Sequence, residues 1–267
     1  MIEREYNLKN INNYENKKDY WNPELYDNNH SFVSDYGSSL IELLKPDSNE
    51  TILDLGCGTG DLANQIYKHT PNVVGIDKSY QMINQARKKY PCIPFAVKDI
   101  THFDSLQSFD AVFSNATIHW IKQPEKALEN IYKYLKPGGR FVAEFGGKRN
   151  VQTITNEFIH QLQEKNINYN HEQFPWYFPS IGEYTSLMEN TGFTVTFAEY
   201  FDRPTPLVGE QGLNNWINMF SNKMFENLKE DTKRMIIKST EDKLKPKLYD
   251  GKQWIADYKR IRVMGVK

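Results

Sequence analysis

Apolar residues recur along this chain in two alternating rhythms. Short runs, Ile52 to Leu55 (ILDL), Asn72 to Asp77 (NVVGID), Phe95 to Asp99 (FAVKD), Asp110 to Ser114 (DAVFS) and Arg140 to Phe145 (RFVAEF), stand between turn formers, as buried strands do. Between them the apolar positions fall three and four apart: Leu62, Ala63 and Ile66, then Met82, Ile83 and Ala86, then Ala127, Leu128, Ile131 and Leu135. That spacing makes one face of a helix. Ser79 supplies an N-cap, Pro124 a first-turn proline, and Pro137-Gly138-Gly139 a turn into the fifth strand. Strands and helices in alternation predict an α/β fold with a mostly parallel sheet and right-handed crossovers.

Beyond Gly146 the alternation breaks. Val151 to Glu164 and Ile181 to Asn190 read as helices on either side of an aromatic loop, FPWYFPS. A strand is expected at Phe193 to Phe201, two helices bearing Trp216, Phe220 and Phe225 between 209 and 248, and a last strand at Trp254 to Val266. Residues 1 to 20 are polar; Trp21, Tyr26, Phe32, Val33 and Tyr36 follow among turn formers, and a short helix is expected from Ser38 to Leu44. No repeat or flexible linker separates these pieces. We expect one domain over 1–267: a lid and helix (1–44), a ligand-binding core (45–150), a cap with one core strand (151–250) and a final strand (251–267).

Charge is balanced, with 33 basic and 34 acidic side chains, so no global field draws nucleic acid or an anionic membrane. Cys57 and Cys92 lie outside any metal-ligand spacing, and so low a cysteine count fits a reducing compartment. The N-terminal stretch lacks the apolar centre of a secretion signal, and no apolar run reaches membrane-spanning length. These features lead us to expect a cytoplasmic monomer or homodimer with a small-molecule partner and no metal.

The chemistry centres on Gly56-Cys57-Gly58-Thr59-Gly60, between the first strand and the helix opening at Asp61. Glycines let a backbone approach a ligand where a Cβ would clash, and the helix start directs free N–H groups to the same place. The spacing is G-x-G-x-G, not the G-x-G-x-x-G of a dinucleotide site, and no Lys-Ser or Lys-Thr pair follows as in a P-loop. The second and third strands each end in an acid, Asp77 and Asp99; Asp77 lies 21 positions after Gly56.

Together, ILDLGCGTGDLA, GIDKSYQMINQA, VKDI and LKPGGRFVAEF, in this order and at these intervals, resemble the class I S-adenosylmethionine-dependent methyltransferases. The resemblance is close over residues 18 to 150 and looser at 193 to 201 and 254 to 266. It implies a Rossmann-like seven-stranded sheet with helices on both faces and a helical, aromatic cap. It also implies S-adenosylmethionine as cofactor, released as S-adenosylhomocysteine. WNPELYDNNHSF, SNATIHWI and the C-terminal extension look most like the trans-aconitate methyltransferase group, which esterifies small carboxylic acids. That group carries an Arg-x-Arg-Pro-like stretch where this chain reads Ser34-Asp35-Tyr36-Gly37-Ser38-Ser39; His30 or a backbone N–H is the expected substitute.

The matched positions imply the cofactor contacts. Asp77 accepts from the ribose hydroxyls. Asp99 faces the adenine amine, with Ile100 beside it and Met82 over the ring. Gly56 and Gly58 approach the amino-acid half, and Asp54 orients the turn or the ammonium group. Cys57, Lys78, Asn115 and His30 complete the set. His119 and Trp120, after the fourth strand, are the catalytic candidates, His119 either as base or donor to the acceptor or as a structural residue. Trp21, Tyr26, Trp176, Tyr177 and Trp216 are expected to wall the acceptor pocket, with Lys148 or Arg203 as the cation for a carboxylate. The expected reaction is methyl transfer to a small acceptor, at a carboxylate oxygen. The alternatives are an amine or phenol with His119 as base, and a cofactor-binding protein without catalysis.

Overall fold

Strand β1 (Ile52–Leu55) is buried on both faces along its whole length, as Ile52, Leu53 and Leu55 require, with Asp54 buried among them. The computed structural model describes Pro23 and residues 32–105, 107–226 and 228–267. β2 (Val73–Asp77) pairs with one side of β1 and β4 (Phe109–Asn115) with the other, both parallel. β3 (Phe95–Val97) continues outward from β2, and β5 (Leu135–Gly146) from β4. β7 (Trp254–Val266) then runs antiparallel to β5, and β6 (Thr194–Leu207) antiparallel to β7. The order is β3-β2-β1-β4-β5-β7-β6. Successive strands step away from β1 in opposite directions through β2 and β4, which opens a crevice at their C-terminal ends.

Helices cover both faces. Leu53 and Leu55 point into a layer with Leu128 and Ile131 of α4 (Pro124–Tyr134) and Met188 of α6 (Ile181–Thr191). Ile52 points the other way, toward Leu40 of α1 (Phe32–Leu44), Ile66 of α2 (Asp61–Tyr67) and Ile83 of α3 (Tyr80–Lys89). The period of two along β1 thus sorts the core into two layers. A third cluster joins α5 (Gln152–Glu164), α7 (Gly212–Phe220) and α8 (Glu230–Leu248) to Trp254, Ala256 and Tyr258 of β7.

Several boundaries differ from the sequence pattern. α1 begins at Phe32, not Ser38. β3 stops at Val97 because the Asp99 side chain accepts from the Thr101 N–H and caps a 3-10 turn, Ile100–His102. β5 begins at Leu135, since Leu135 pairs with Phe109 across a bulge. β6 runs on to Leu207 through Pro204 and Pro206, which an edge strand tolerates. Among the described residues no helix is long and apolar enough to cross a membrane.

Candidate active site

A cavity of about 490 Å³ lies where the chain leaves β1, β2 and β4, lined by Gly56, Gly58, Asp77 and Asn115 among others. Gly56 has φ 75° and faces Thr117, whose Oγ1 would lie 2.0 Å from a Cβ there. Gly58 has φ 54°, and a Cβ there would meet nothing within 4 Å; it borders the cavity itself. One carboxylate holds this turn. Asp77 Oδ2 accepts from the Gly58 N–H at 3.0 Å and Oδ1 from the Ser79 N–H at 2.8 Å, fastening the glycines to the start of α3.

Asp99 lines the same end with Lys78, Met82, Ile100 and Thr101. Lys78 Nζ is 2.9 Å from Asp99 Oδ2, while Oδ1 accepts from the Thr101 hydroxyl at 2.7 Å. Burial pushes the Asp99 pKa up, but the Lys78 and Thr101 hydrogen bonds outweigh it and hold the carboxyl below its usual range. Met82 and Ile100 are buried and give this end an apolar surface.

The other end is aromatic and donor-rich. Trp120, Trp176, Trp216, Phe220 and Tyr258 line it, with ring centroids 5.6 Å apart for Trp120 and Trp176 and 5.5 Å for Trp216 and Phe220. Trp216 Nε1 donates to the Tyr258 hydroxyl at 2.6 Å. Lys122 Nζ donates to the carbonyls of Phe174 (2.6 Å) and Trp176 (3.0 Å), and the Tyr177 N–H donates to the His119 carbonyl at 2.7 Å. These bonds fasten the aromatic loop to the segment after β4. Ala116 and Val151, both lining the cavity, adopt positive φ of 55° and 47°, a conformation that costs a side-chain-bearing residue about 1–2 kcal/mol.

His119 is buried at this end, and its Nδ1 accepts from the Gly146 N–H at 3.3 Å. Burial, and then the nearby Arg260 guanidinium, push its pKa well below the usual histidine value. The ring is therefore neutral, with its proton on Nε2. Arg260 lines the cavity at only 6% exposure, its guanidinium carbon 4.5 Å from the centre of the Tyr258 ring.

The sequence-derived candidates divide. Gly56, Gly58, Asp77, Lys78, Met82, Asp99, Ile100, Asn115, His119, Trp120, Trp176 and Trp216 all line this one cavity. Asp54 and Cys57 do not; Asp54 is buried in β1, and Cys57 is buried within the glycine turn itself. Asp54 accepts from the Ala63 N–H, and burial, aided by the Asp77 charge, pushes its pKa up to about 8, so it braces the start of α2. Burial likewise raises the Cys57 thiol.

The expected carboxylate cations are placed elsewhere. Arg203 grips Glu144 with both terminal nitrogens, and Arg262 holds the same carboxylate. Lys148 is exposed and absent from the lining, and the Tyr177 hydroxyl donates to Glu183 on α6 at 3.3 Å. Trp21, Tyr26 and His30 lie outside the described residues.

The sequence reading missed Arg260. Its signal was the period of two in β7: Trp254, Ala256 and Tyr258 face inward, and Arg260 is the next residue in that register. An arginine on an apolar face is the kind of buried polar residue that marks a site.

Comparison with known proteins adds four similarities. A family model for a methyltransferase domain matches residues 46–195. An uncharacterized methyltransferase of Schizosaccharomyces pombe is 32% identical over 94% of this chain and 99% of its own length. A trans-aconitate 2-methyltransferase of Acidovorax sp. is 32% identical over 45% of this chain, a match spanning 47% of that enzyme. The Haemonchus contortus phosphoethanolamine N-methyltransferase 2, solved with phosphomonomethylethanolamine and S-adenosylhomocysteine, shares the fold with a TM-score of 0.57. That match is at 18% identity, over 92% of this chain and 56% of that one.

Proposed function

This chain belongs to the methyltransferase-domain family of S-adenosylmethionine-dependent enzymes, and from that premise we propose that it methylates a carboxylate oxygen of a small organic acid. The lining residues fit the cofactor. Gly58 borders open space where any larger residue would project, Asp77 and Asp99 are acceptors suited to hydroxyls and an amine, and Met82 and Ile100 supply an apolar face. Held by Gly58, Asp77 and Asp99, S-adenosylmethionine would supply a sulfonium methyl group to a carboxylate oxygen, the electron pair of the S–C bond remaining on sulfur and no proton needing to move.

The observation that carries this reading is the hydrogen bond from the Gly146 N–H to Nδ1 of His119. With Nδ1 engaged by Gly146 and the proton on Nε2, the ring offers the cavity a donor and no lone pair. Lys122 and Arg260 are also donors, and burial holds the Tyr258 hydroxyl protonated. An amine or phenol needs a base to take its proton, and the described residues at this end supply none. A carboxylate arrives deprotonated. The aromatic walls exclude water, and the donors orient the anion. The name of the trans-aconitate relative, which specifies an acid acceptor, agrees.

The test is a screen that follows S-adenosylhomocysteine release over small acids, amines and phenols, with mass spectrometry of the product. Methyl esters are expected. Turnover confined to amines or phenols would overturn the reading.

A further inference from the structure

Asn150 follows β5 in a turn that the backbone of β7 holds in place. The Gly147 N–H donates to the Lys259 carbonyl, the Val151 N–H to the Asp257 carbonyl, and the Asn150 N–H to the Gly147 carbonyl. Arg149 and Val151, on either side of Asn150, have φ of 67° and 47°, left-handed values that strain a residue bearing a side chain and that gather where a fold holds a ligand. Asn150 is 3% exposed and lines the cavity, as His119 does. The Lys259 N–H donates to Asn150 Oδ1 at 2.9 Å, which fixes the amide: its oxygen is spent on β7 and its NH2 is the other end. That NH2 lies over Gly146, where a Cβ would stand 2.8 Å from Nδ2, so the glycine leaves the room that the amide occupies. The same Gly146 donates its N–H to Nδ1 of His119. Both side chains thus spend their acceptor atom on a backbone N–H and keep a donor, Nδ2 of Asn150 and Nε2 of His119, and among the described residues neither donor has a partner. The other polar side chains at this end are engaged or at the rim: Lys122 donates to two loop carbonyls, Tyr258 accepts from Trp216, Arg260 lies against Tyr258 among partners of its own, and Gln123 is exposed.

We propose that Asn150 Nδ2 and His119 Nε2 bind the two oxygens of the reacting carboxylate, one donor to each, and that Asn150 is a specificity-determining residue for the acceptor. This rests on the carboxylate reading above and adds the groups that hold the acid. An ionised carboxyl has about four lone-pair sites on its two oxygens, so an oxygen held by one N–H keeps a second lone pair for the methyl group. Both donors are neutral and the acid supplies the charge that strengthens the bonds, so its attraction to the sulfonium is not cancelled by a cation of the protein at these two atoms. An ammonium ion has donors only and meets two donors here. Methylation removes the negative charge from the acceptor atoms, so the ester is held more weakly than the acid.

The experiment is calorimetric titration of the chain saturated with S-adenosylhomocysteine, at pH 8, with benzoate, trans-aconitate and benzylamine, repeated on Asn150→Asp and Asn150→Ala. S-adenosylhomocysteine is titrated into each variant as a check on the fold and should bind within about twofold of wild type. Asn150→Asp keeps an oxygen for the Lys259 N–H and exchanges the NH2 for a charged oxygen, whereas Asn150→Ala removes both ends. Wild type should bind at least one of the two acids and not benzylamine. Asn150→Ala should weaken that acid by about tenfold and Asn150→Asp by about a hundredfold, the range of hydrogen bonds to a charged group. A residue that only braced the turn would give the opposite order, because the aspartate retains the Lys259 bond. If Asn150→Asp does not fold, the alanine variant decides, and unchanged acid affinity there overturns the inference. Acid binding to Asn150→Asp as tight as to Asn150→Ala or tighter, or no acid binding to wild type, overturns it too. With acids still esterified in the acceptor screen, either result leaves the carboxylate reading standing; benzylamine binding to wild type in place of the acids, with turnover confined to amines or phenols, fails that reading as well.

Discussion

The backbone N–H of Gly146, at the end of β5, donates to Nδ1 of His119 in the segment after β4, and this contact decides what the histidine can do. A neutral imidazole has one lone-pair nitrogen, and here a backbone donor occupies it. His119→Gln, which preserves an N–H donor, should therefore lower kcat/KM by no more than about tenfold. Removing the donor altogether in His119→Ala should cost about ten- to hundredfold. Because burial moves the histidine pKa well below its usual value, the ring stays neutral across the ordinary range. The kcat/KM profile should then be level from pH 6 to 8. A limb near pH 6.5 that vanishes in His119→Gln would identify a base instead.

Asp77 gives the clearest test of the cofactor end. Its two oxygens accept from Gly58 and Ser79, so Asp77→Ala both loosens the glycine turn and removes a charge from the lining. Affinity for S-adenosylhomocysteine should fall by about ten- to hundredfold in calorimetry, the scale of hydrogen bonds to a charged acceptor. Asp77→Asn keeps one carbonyl acceptor and should lose less.

The alternating half of the chain was legible because the strands there are largely buried on both faces and so read as predominantly apolar runs. β1 to β5 and their helices followed from that pattern, and the glycine turn and Asp77 and Asp99 occupy the strand ends where the pattern breaks. β6 was harder. Its exposed side chains blur the alternation, and Pro204 and Pro206 argue against a strand unless the sheet edge is known. The aromatic end of the cavity was harder still, because which arginine lines it depends on register. Arg203 and Arg260 are equally basic in sequence, but pairing of β6 with β7 and of β7 with β5 sets Arg203 and Arg262 against Glu144 and leaves Arg260 on the cavity side. The period of two in β7 puts Arg260 on the inward face, but which arginines meet Glu144 follows only from the pairing.

Glu144 has 2% exposure and serves two guanidinium groups, with Arg262 also donating to Ser39 of α1 at 2.9 Å. Replacing it with Gln leaves two largely buried cations without their counter-charge. Loss of one partner from a buried ion pair costs about 3–5 kcal/mol, and urea unfolding of Glu144→Gln should show a loss of that order. Arg203→Met should lower stability while leaving the acceptor KM within about twofold, a margin small against the tenfold steps of affinity. A large rise in KM would restore Arg203 to the acceptor site.

Asp54 makes stability depend on pH in a direction opposite to that of most carboxylates. Its folded-state pKa is raised to about 8, first by burial and then by the Asp77 charge, whereas in the unfolded chain it titrates near 4. Between those values the folded protein holds a proton that the unfolded chain does not. The stability from this group is therefore fully present below the unfolded pKa and is lost as pH rises toward 8, with a slope of up to about 1.4 kcal/mol per pH unit. Asp54→Asn keeps an acceptor for the Ala63 N–H and has no proton to lose. In urea unfolding of the cofactor-free protein at pH 6, 7 and 8, wild type should weaken relative to Asp54→Asn at each step, so that the variant gains most at pH 8. A constant difference between the two across this range would mean that Asp54 is already ionised in the folded state, with its charge met by the N-terminus of α2.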